Sequence, residues 1–544
     1  MTSVRQLSRL LVLVLAPFGL MGIQCEAPSP GDLPLEPPVE RPDEPVSAPV
    51  DPQDLPEDEG PEDEGPDDER PDDERPDDEG PDDEPTEIET PAEALVNDLV
   101  VDRVSLYQGV EVSLDDSTAS LAPVVAGRDA LVRAFVEPLP GYVARVMTAV
   151  LEIENGDEVT LLEETVRPLE RSRKDDLDST LNFFIDGELL TPATALSVRL
   201  LEPADGFSEE RGPVGGLWPA GGVPRPLGAV DLGGAVTVRI VPLLYAADGT
   251  HRAPDTSAAQ VETMRSALLG MTPAPDAILW VDSPVNITTP LAANGDGWSD
   301  ALVLLTNLRE TRNVRSSEYV YGLVAPATAM GAYCGGSCVT GLSWRATDPT
   351  AAWARTSLGL GYAGVGAEDT FVHELGHAHG RMHTPCGGPA NPDPDYPYAD
   401  GLLGTQGYDM DSDELIPAES RGDLMGYCSP RWVSDYTYAA LAERMAWVHA
   451  EPMMIAPPGW PKRMLAIDAG PQPRFVGAMT LQAPLSGATE AVQVLDASGV
   501  VLYEVEAEVQ AMEHTGRDVL LVPAPARRDA VTVRFAGVEL SLPE

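Results

Sequence analysis

Four of the chain's seven histidines fall within eleven residues, in the order His373-Glu374-x-x-His377-x-x-Gly380-x-x-His383. No other stretch restricts so tightly what the chain can fold into. On a helix, His373 and His377 are four apart and project from one face, so both imidazoles reach a single ion. Gly380 lets the chain leave that helix at positive φ, and His383 then returns as a third ligand. Three neutral imidazoles leave a fourth position for water, the arrangement of one catalytic zinc rather than a structural one. Glu374 stands beside that position as the base that takes the water proton. His379 lies off the shared face and is expected either behind the ligands or exposed. A solvated His-rich face is the bland alternative, and the scarcity of histidine elsewhere weakens it.

The pattern resembles the zinc signature of the metzincin metalloendopeptidases. Those enzymes also carry a turn with a methionine beneath the metal, and Asp423-Leu424-Met425-Gly426-Tyr427 looks like that turn. The resemblance implies that Met425 supports the histidine ligands from below. It implies that Tyr427 sits near the metal as a ligand or as a hydroxyl that stabilises the oxyanion. Among metzincins the chain looks most like large secreted or lipoprotein bacterial members, including those that cleave mucin-type glycoproteins. No substrate residue is implied by that likeness.

The net charge of −54 is partly local. From Pro56 to Pro85 a five-residue unit repeats six times, with eighteen acids against two arginines, a net of −16. Such a segment has almost no apolar area to bury and repels itself, so a disordered, extended acidic stalk is expected over residues 25–92. The remaining −38 argues against nucleic acid or an anionic membrane surface as partner. Arg5 and Arg9 precede the apolar run Leu10 to Leu20, which reads as a signal peptide over residues 1–24. Cys25 then resembles the lipidated first residue of a bacterial lipoprotein, although Gln24 stands where a small residue is usual. An exported protein of the cell envelope, an outer-membrane lipoprotein or else a secreted protein, is the expectation. The membrane would be a partner only through that lipid anchor.

Cys334, Cys338, Cys386 and Cys428 remain, an even number in an exported chain, and three pairings are open. The preferred one joins Cys386 to Cys428, just after His383 and just after Met425, with Cys334–Cys338 as a tight local loop. Four thiolates on a structural zinc are the rival, which the spacing and an oxidising compartment disfavour.

Along the chain, alternating apolar runs at Val100–Leu106, Ala130–Val136, Arg145–Ile153, Thr160–Val166, Leu181–Phe184 and Ser197–Leu201 predict a β-sandwich over residues 93–231. A Gly- and Pro-rich connection, Gly206 to Gly234, bounds it. The metzincin-like catalytic domain is expected over residues 232–450. In it Ala235–Leu244, Ala277–Val281, Ala301–Thr306 and Tyr319–Ala325 read as strands, and Ala258–Leu269 and Tyr436–His449 as helices. Tyr319–Ala325 is the candidate for the edge strand that pairs with an extended substrate. A second, smaller β-sandwich is expected over residues 455–544. The fold class is therefore α+β: a zinc peptidase domain flanked by two β-sandwiches and preceded by the stalk.

Two weaker patterns need weighing. Gly359-x-Gly361-x-x-Gly364 matches a dinucleotide fingerprint, but no convincing strand is expected before it, so it reads as a loop. Asp409-x-Asp411-x-Asp413 has the oxygen spacing that opens a calcium loop, yet the later Gly and Glu are out of register, so turn capping is favoured over Ca2+.

The functional expectation is a zinc endopeptidase that cleaves extracellular proteins or glycoproteins. The alternative is a surface-tethered protein- or glycan-binding lipoprotein in which the metal site is secondary. Intact Glu374 argues against the second. Residues 93–231 contain no cysteine, so a thiol arm from that domain cannot cap the metal.

Overall fold

The computed structural model describes residues 93–115, 120–203, 215–364, 366–450, 459–482, 487–512 and 514–543. The signal peptide, Cys25 and the acidic stalk lie outside the described residues. The architecture is mixed α+β, with many strands and few helices. Among the described residues no helix is long and apolar enough to cross a membrane.

The sheet that positions the site runs Ala277–Val281, Val236–Tyr245, Tyr319–Val324, Thr356–Leu360, Gly341–Ser343. The first four strands are parallel, and Gly341–Ser343 pairs antiparallel at the end. Val285–Ile287 adds to Val236–Tyr245 beyond Ala277–Val281. Successive side chains of a strand face opposite sides. In Tyr319–Val324, accordingly, Tyr319, Tyr321 and Leu323 join one core, while Val320 and Val324 join the other. The first core is completed by helices α1 (Ala258–Met271), α4 (Ala367–Ala378) and α5 (Asp435–Ala450). The second is completed by α2 (Trp298–Thr311) and by the C-terminal sheet. The short α3 (Met330–Cys334) leads into the first disulfide.

Three expectations fail here. Ala301–Thr306 lies inside α2 and is not a strand, because a short apolar run is equally compatible with a buried helix. Tyr319–Val324 is not an edge strand: it is buried throughout and paired on both sides. Continuous apolar character marks a central parallel strand. The edge is the inconspicuous Gly341–Ser343, which has a strand partner on one side only among the described residues. Thr356–Leu360 also forms a strand that runs into the first glycine of the Gly-rich run, where none was expected. That run leads directly into the histidine helix α4, so no phosphate-binding unit opens there.

In the N-terminal region, all six predicted runs are strands. They are arranged in two antiparallel sheets that enclose one core, with Leu106, Val132, Leu151, Phe183 and Val198 at its centre. Two short strands from the expected connection, Leu217–Trp218 and Arg225–Pro226, pair onto Thr194–Pro203. The C-terminal region forms one continuous seven-stranded sheet rather than two separate ones. Register shifts within it, between Ala466 and Ile467 and between Val494 and Leu495, let a single sheet curve. One side of the sheet covers α2 through Met464, Met479 and Leu521. The other side makes its own core around Val492, Leu520 and Val533.

Candidate metal centre

Helix α4 starts after Gly366, which adopts φ 73°, and carries Glu368 and Asp369 in its first turn. Negative charge there favours the helix N-terminus. Phe371, Val372, Leu375 and Ala378 pack into the core beneath the sheet, and His373, Glu374 and His377 are also buried. From Phe371 onward the helix is therefore buried on every face. Gly380 takes φ 89° and ends it. The Gly380 amide donates to the His377 carbonyl at 2.7 Å, and the Arg381 amide donates to Gly376 at 3.0 Å. A β-carbon at Gly380 would stand 2.8 Å from the Ala346 carbonyl, so a larger residue is excluded by space as well as by φ.

The turn brings His383 back under the helix. His377 and His383 place their Nε2 atoms 3.2 Å apart. His373 Nδ1 lies 2.8 Å from the Leu424 carbonyl, and His377 Nδ1 lies 2.8 Å from the Arg381 carbonyl. A carbonyl only accepts, so each Nδ1 carries the proton and each Nε2 presents a lone pair. His373 Nε2 is buried and makes no hydrogen bond among the described residues. Burial, followed by the imidazoles of His377, His514 and His383, holds His373 well below the ordinary histidine range. It is thus kept in the neutral form that ligates metals.

The turn that carries Met425 is braced from several directions. Asp423 accepts from the Met425 amide at 2.8 Å and from the Ser434 amide at 3.0 Å. The Thr384 amide donates to the Met425 carbonyl at 3.0 Å, and the Tyr427 amide donates to Cys386 at 2.8 Å. The Cys386–Cys428 disulfide closes the same junction, and Cys334–Cys338 forms the second bridge. The Met425 side chain lies against Gly376 of the helix. The tyrosine of the turn, Tyr427, has its ring 4.7 Å from that of His383 and remains 40% exposed.

The structure adds a group that the sequence reading missed. His514, on the turn between Val501–Met512 and Arg517–Pro523, reaches into the centre from the C-terminal sheet. His373, His377, His383 and His514 each offer a ligand atom within 4.8 Å of the others. Its only sequence signal is rarity, because it is one of three histidines outside the motif. His379, by contrast, is buried away from the cluster, stacked on Tyr319 at 4.5 Å, and burial pushes it down to about 3. It is not exposed, because α4 is covered on that face too.

The donor set fits zinc. Tetrahedral Zn–N bonds of about 2.0–2.1 Å place ligand nitrogens about 3.3 Å apart, close to the 3.2 Å between His377 and His383. The Asp409, Asp411 and Asp413 carboxylates do not form such a group among the described residues. Asp409 accepts from the Asp411 amide at 3.0 Å and from Ser412 at 2.8 Å, which is turn capping.

No curated protein matches this chain. One solved structure, of a chaperone–substrate complex, is similar to it at 11% identity and TM-score 0.24, over 50% of this chain and 39% of that one. A likeness at that level carries no argument. Residues 343–425 match the family model of Peptidase M66. This span runs from the edge strand through His373, His377 and His383 to Met425, and it supports reading the chain as a peptidase of a metallopeptidase family.

Proposed function

We propose that the chain is a zinc-dependent, metzincin-like endopeptidase that hydrolyses peptide bonds of extracellular proteins or glycoproteins. The placement of Glu374 carries this reading: its carboxylate is buried and its Oε1 lies 3.2 Å from His514 Nε2, at the mouth of the histidine cluster. Zinc held by His373, His377 and His383 would supply a Lewis acid for the scissile carbonyl and acidify a water.

The chain's own residues do the rest. Glu374 holds the proton of the attacking water at its carboxylate and delivers it to the leaving amine nitrogen. The Tyr427 hydroxyl donates to the developing oxyanion. Gly341–Ser343 packs against Glu374 and has one side without a strand partner among the described residues, where an extended peptide adds as a further strand. The leader with Cys25 supports an exported, envelope-anchored or secreted location, and the acidic charge supports a protein rather than a nucleic-acid partner.

Zinc-loaded full chain and Glu374→Ala are incubated with unfolded proteins and mucin-type glycoproteins, and the products are scored by mass. Cuts made by the wild type, even slow ones, and none by Glu374→Ala are the expected result. Equal cutting by Glu374→Ala overturns the mechanism.

A further inference from the structure

His514 is far in sequence from the motif, 137 residues beyond His377, yet it faces the same point. Its Nε2 lies 3.2 Å from His377 Nε2 and 3.2 Å from Glu374 Oε1. Its ring centroid is 5.1 Å from that of His373, 5.1 Å from that of His377 and 4.8 Å from that of His383. His377 carries its proton on Nδ1, so its single Nε2 lone pair can accept from one imidazole, not two. Both His383 and His514 nevertheless approach it at 3.2 Å. Hydrogen bonds to His377 cannot satisfy both contacts, and a proton on His514 Nε2 given to Glu374 Oε1 would leave the 3.2 Å approach to His377 without a cause. Shared coordination can, because about 3.3 Å is the edge of a tetrahedron of Zn–N bonds.

The outer nitrogen of His514 is also engaged. Its Nδ1 lies 3.1 Å from the Tyr427 hydroxyl, the kind of partner that orients a ligating imidazole. The turn is seated on the catalytic region: Arg517 pairs with Asp296 at 2.6 Å, and Thr515 packs against Gly295. Further along the sheet, Arg474 pairs with Asp300 of α2, and Asn307 donates to the Ala478 carbonyl at 2.8 Å.

We propose that His514 is a fourth protein ligand of the same metal, by which the C-terminal region closes the centre and holds the peptidase latent. The inference rests on the peptidase reading for its consequence but not for its chemistry. Four imidazoles leave no position for water, and the turn covers Glu374, so cleavage requires that the turn be withdrawn. The Arg517–Asp296 pair is suited to release, because Asp296 is more than half exposed and such pairs are weak and screened by salt.

Cobalt(II) in place of zinc, with azide as the added probe, tests the ligand without any substrate. In the wild-type full chain, X-ray absorption should count four imidazoles, and the visible spectrum should not respond to azide. His514→Ala should show three imidazoles and a spectrum that azide shifts. With zinc, His514→Ala should cleave at least about tenfold faster, which is about 1.4 kcal/mol on the barrier. Three imidazoles and an azide response in the wild type overturn the proposal. So does a fall in cleavage by His514→Ala with an unchanged imidazole count, which would make His514 a substrate contact.

Asp296→Ala keeps the imidazole and removes one tether of its turn, leaving Arg517 its 3.5 Å contact with Asp468. It should give an intermediate azide response even if His514→Ala folds poorly. Failure of the peptidase reading shows separately, as a correct imidazole count with no cleavage by His514→Ala.

Discussion

The Nδ1 of His373 lies 2.8 Å from the carbonyl oxygen of Leu424, 51 residues further along the chain. The turn that carries Met425 therefore does more than support the helix from below. Its backbone selects the tautomer of a histidine on that helix and turns the opposite nitrogen towards the other imidazoles. Anything that moves this turn should change metal affinity before it changes the global fold.

Gly376 tests that coupling. A β-carbon at Gly376 would fall on the Met425 sulfur and stand 3.1 Å from its Cε. Gly376→Ala should cost about 1–3 kcal/mol by overpacking and weaken zinc retention. Met425→Leu, which conserves volume, should cost less than about 1.5 kcal/mol. Chemical unfolding and zinc content after dialysis read both effects. Wild-type stability in Gly376→Ala would show that the contact does not restrain the turn.

Removal of the Cys386–Cys428 bridge should cost about 2–4 kcal/mol. The loss should be larger without zinc than with it, since the bridge and the metal tie down the same junction after His383. Thermal unfolding of the double Ser variant, with and without chelator, measures the difference. Equal losses in both states would mean that the bridge does not serve the centre.

Gly341 tests the edge strand. An added β-carbon would stand 2.7 Å from Glu374 Cγ and 2.7 Å from Thr370 Cγ2. Gly341→Ala should displace the carboxylate and lower kcat by about 10- to 100-fold, because small misplacements of a reacting group are costly. Zinc content should stay intact. An unchanged kcat would place the catalytic base elsewhere.

Asp296→Ala should change global stability by less than about 1 kcal/mol, as befits an exposed ion pair. It should nevertheless speed zinc loss to a chelator, because it loosens the turn that carries His514. Zinc loss at the wild-type rate would show that the Arg517–Asp296 pair does not hold the turn.

Much of this organisation was legible in the sequence where a local pattern carries it. The histidine spacing, the glycine that ends α4 and the six N-terminal strands all rest on periodicity or on one backbone requirement. The preferred cysteine pairing rests on where the cysteines stand relative to His383 and Met425, and the structure contains it. The failures share a cause, which is that burial is settled by tertiary neighbours. Ala301–Thr306 is apolar enough for a strand, but Trp298 and Arg309 extend the segment into a helix. Gly341–Ser343 is too short and too small in side chain to announce itself. His514 has no motif at all, because a hairpin turn displays a ligand through the docking of one region on another, and no local spacing encodes that.

The proposed peptidase stands or falls on Glu374 moving the proton in a reaction at a metal held by His373, His377 and His383. The decisive quantity is the kcat/KM of Glu374→Gln against its parent on one cleaved peptide, with zinc content measured on the same samples. Both proteins should carry His514→Ala, so that latency does not mask the chemistry. A fall of about 10²–10⁴-fold with zinc content unchanged is the expected result. Parental turnover by Glu374→Gln at full zinc content would contradict it.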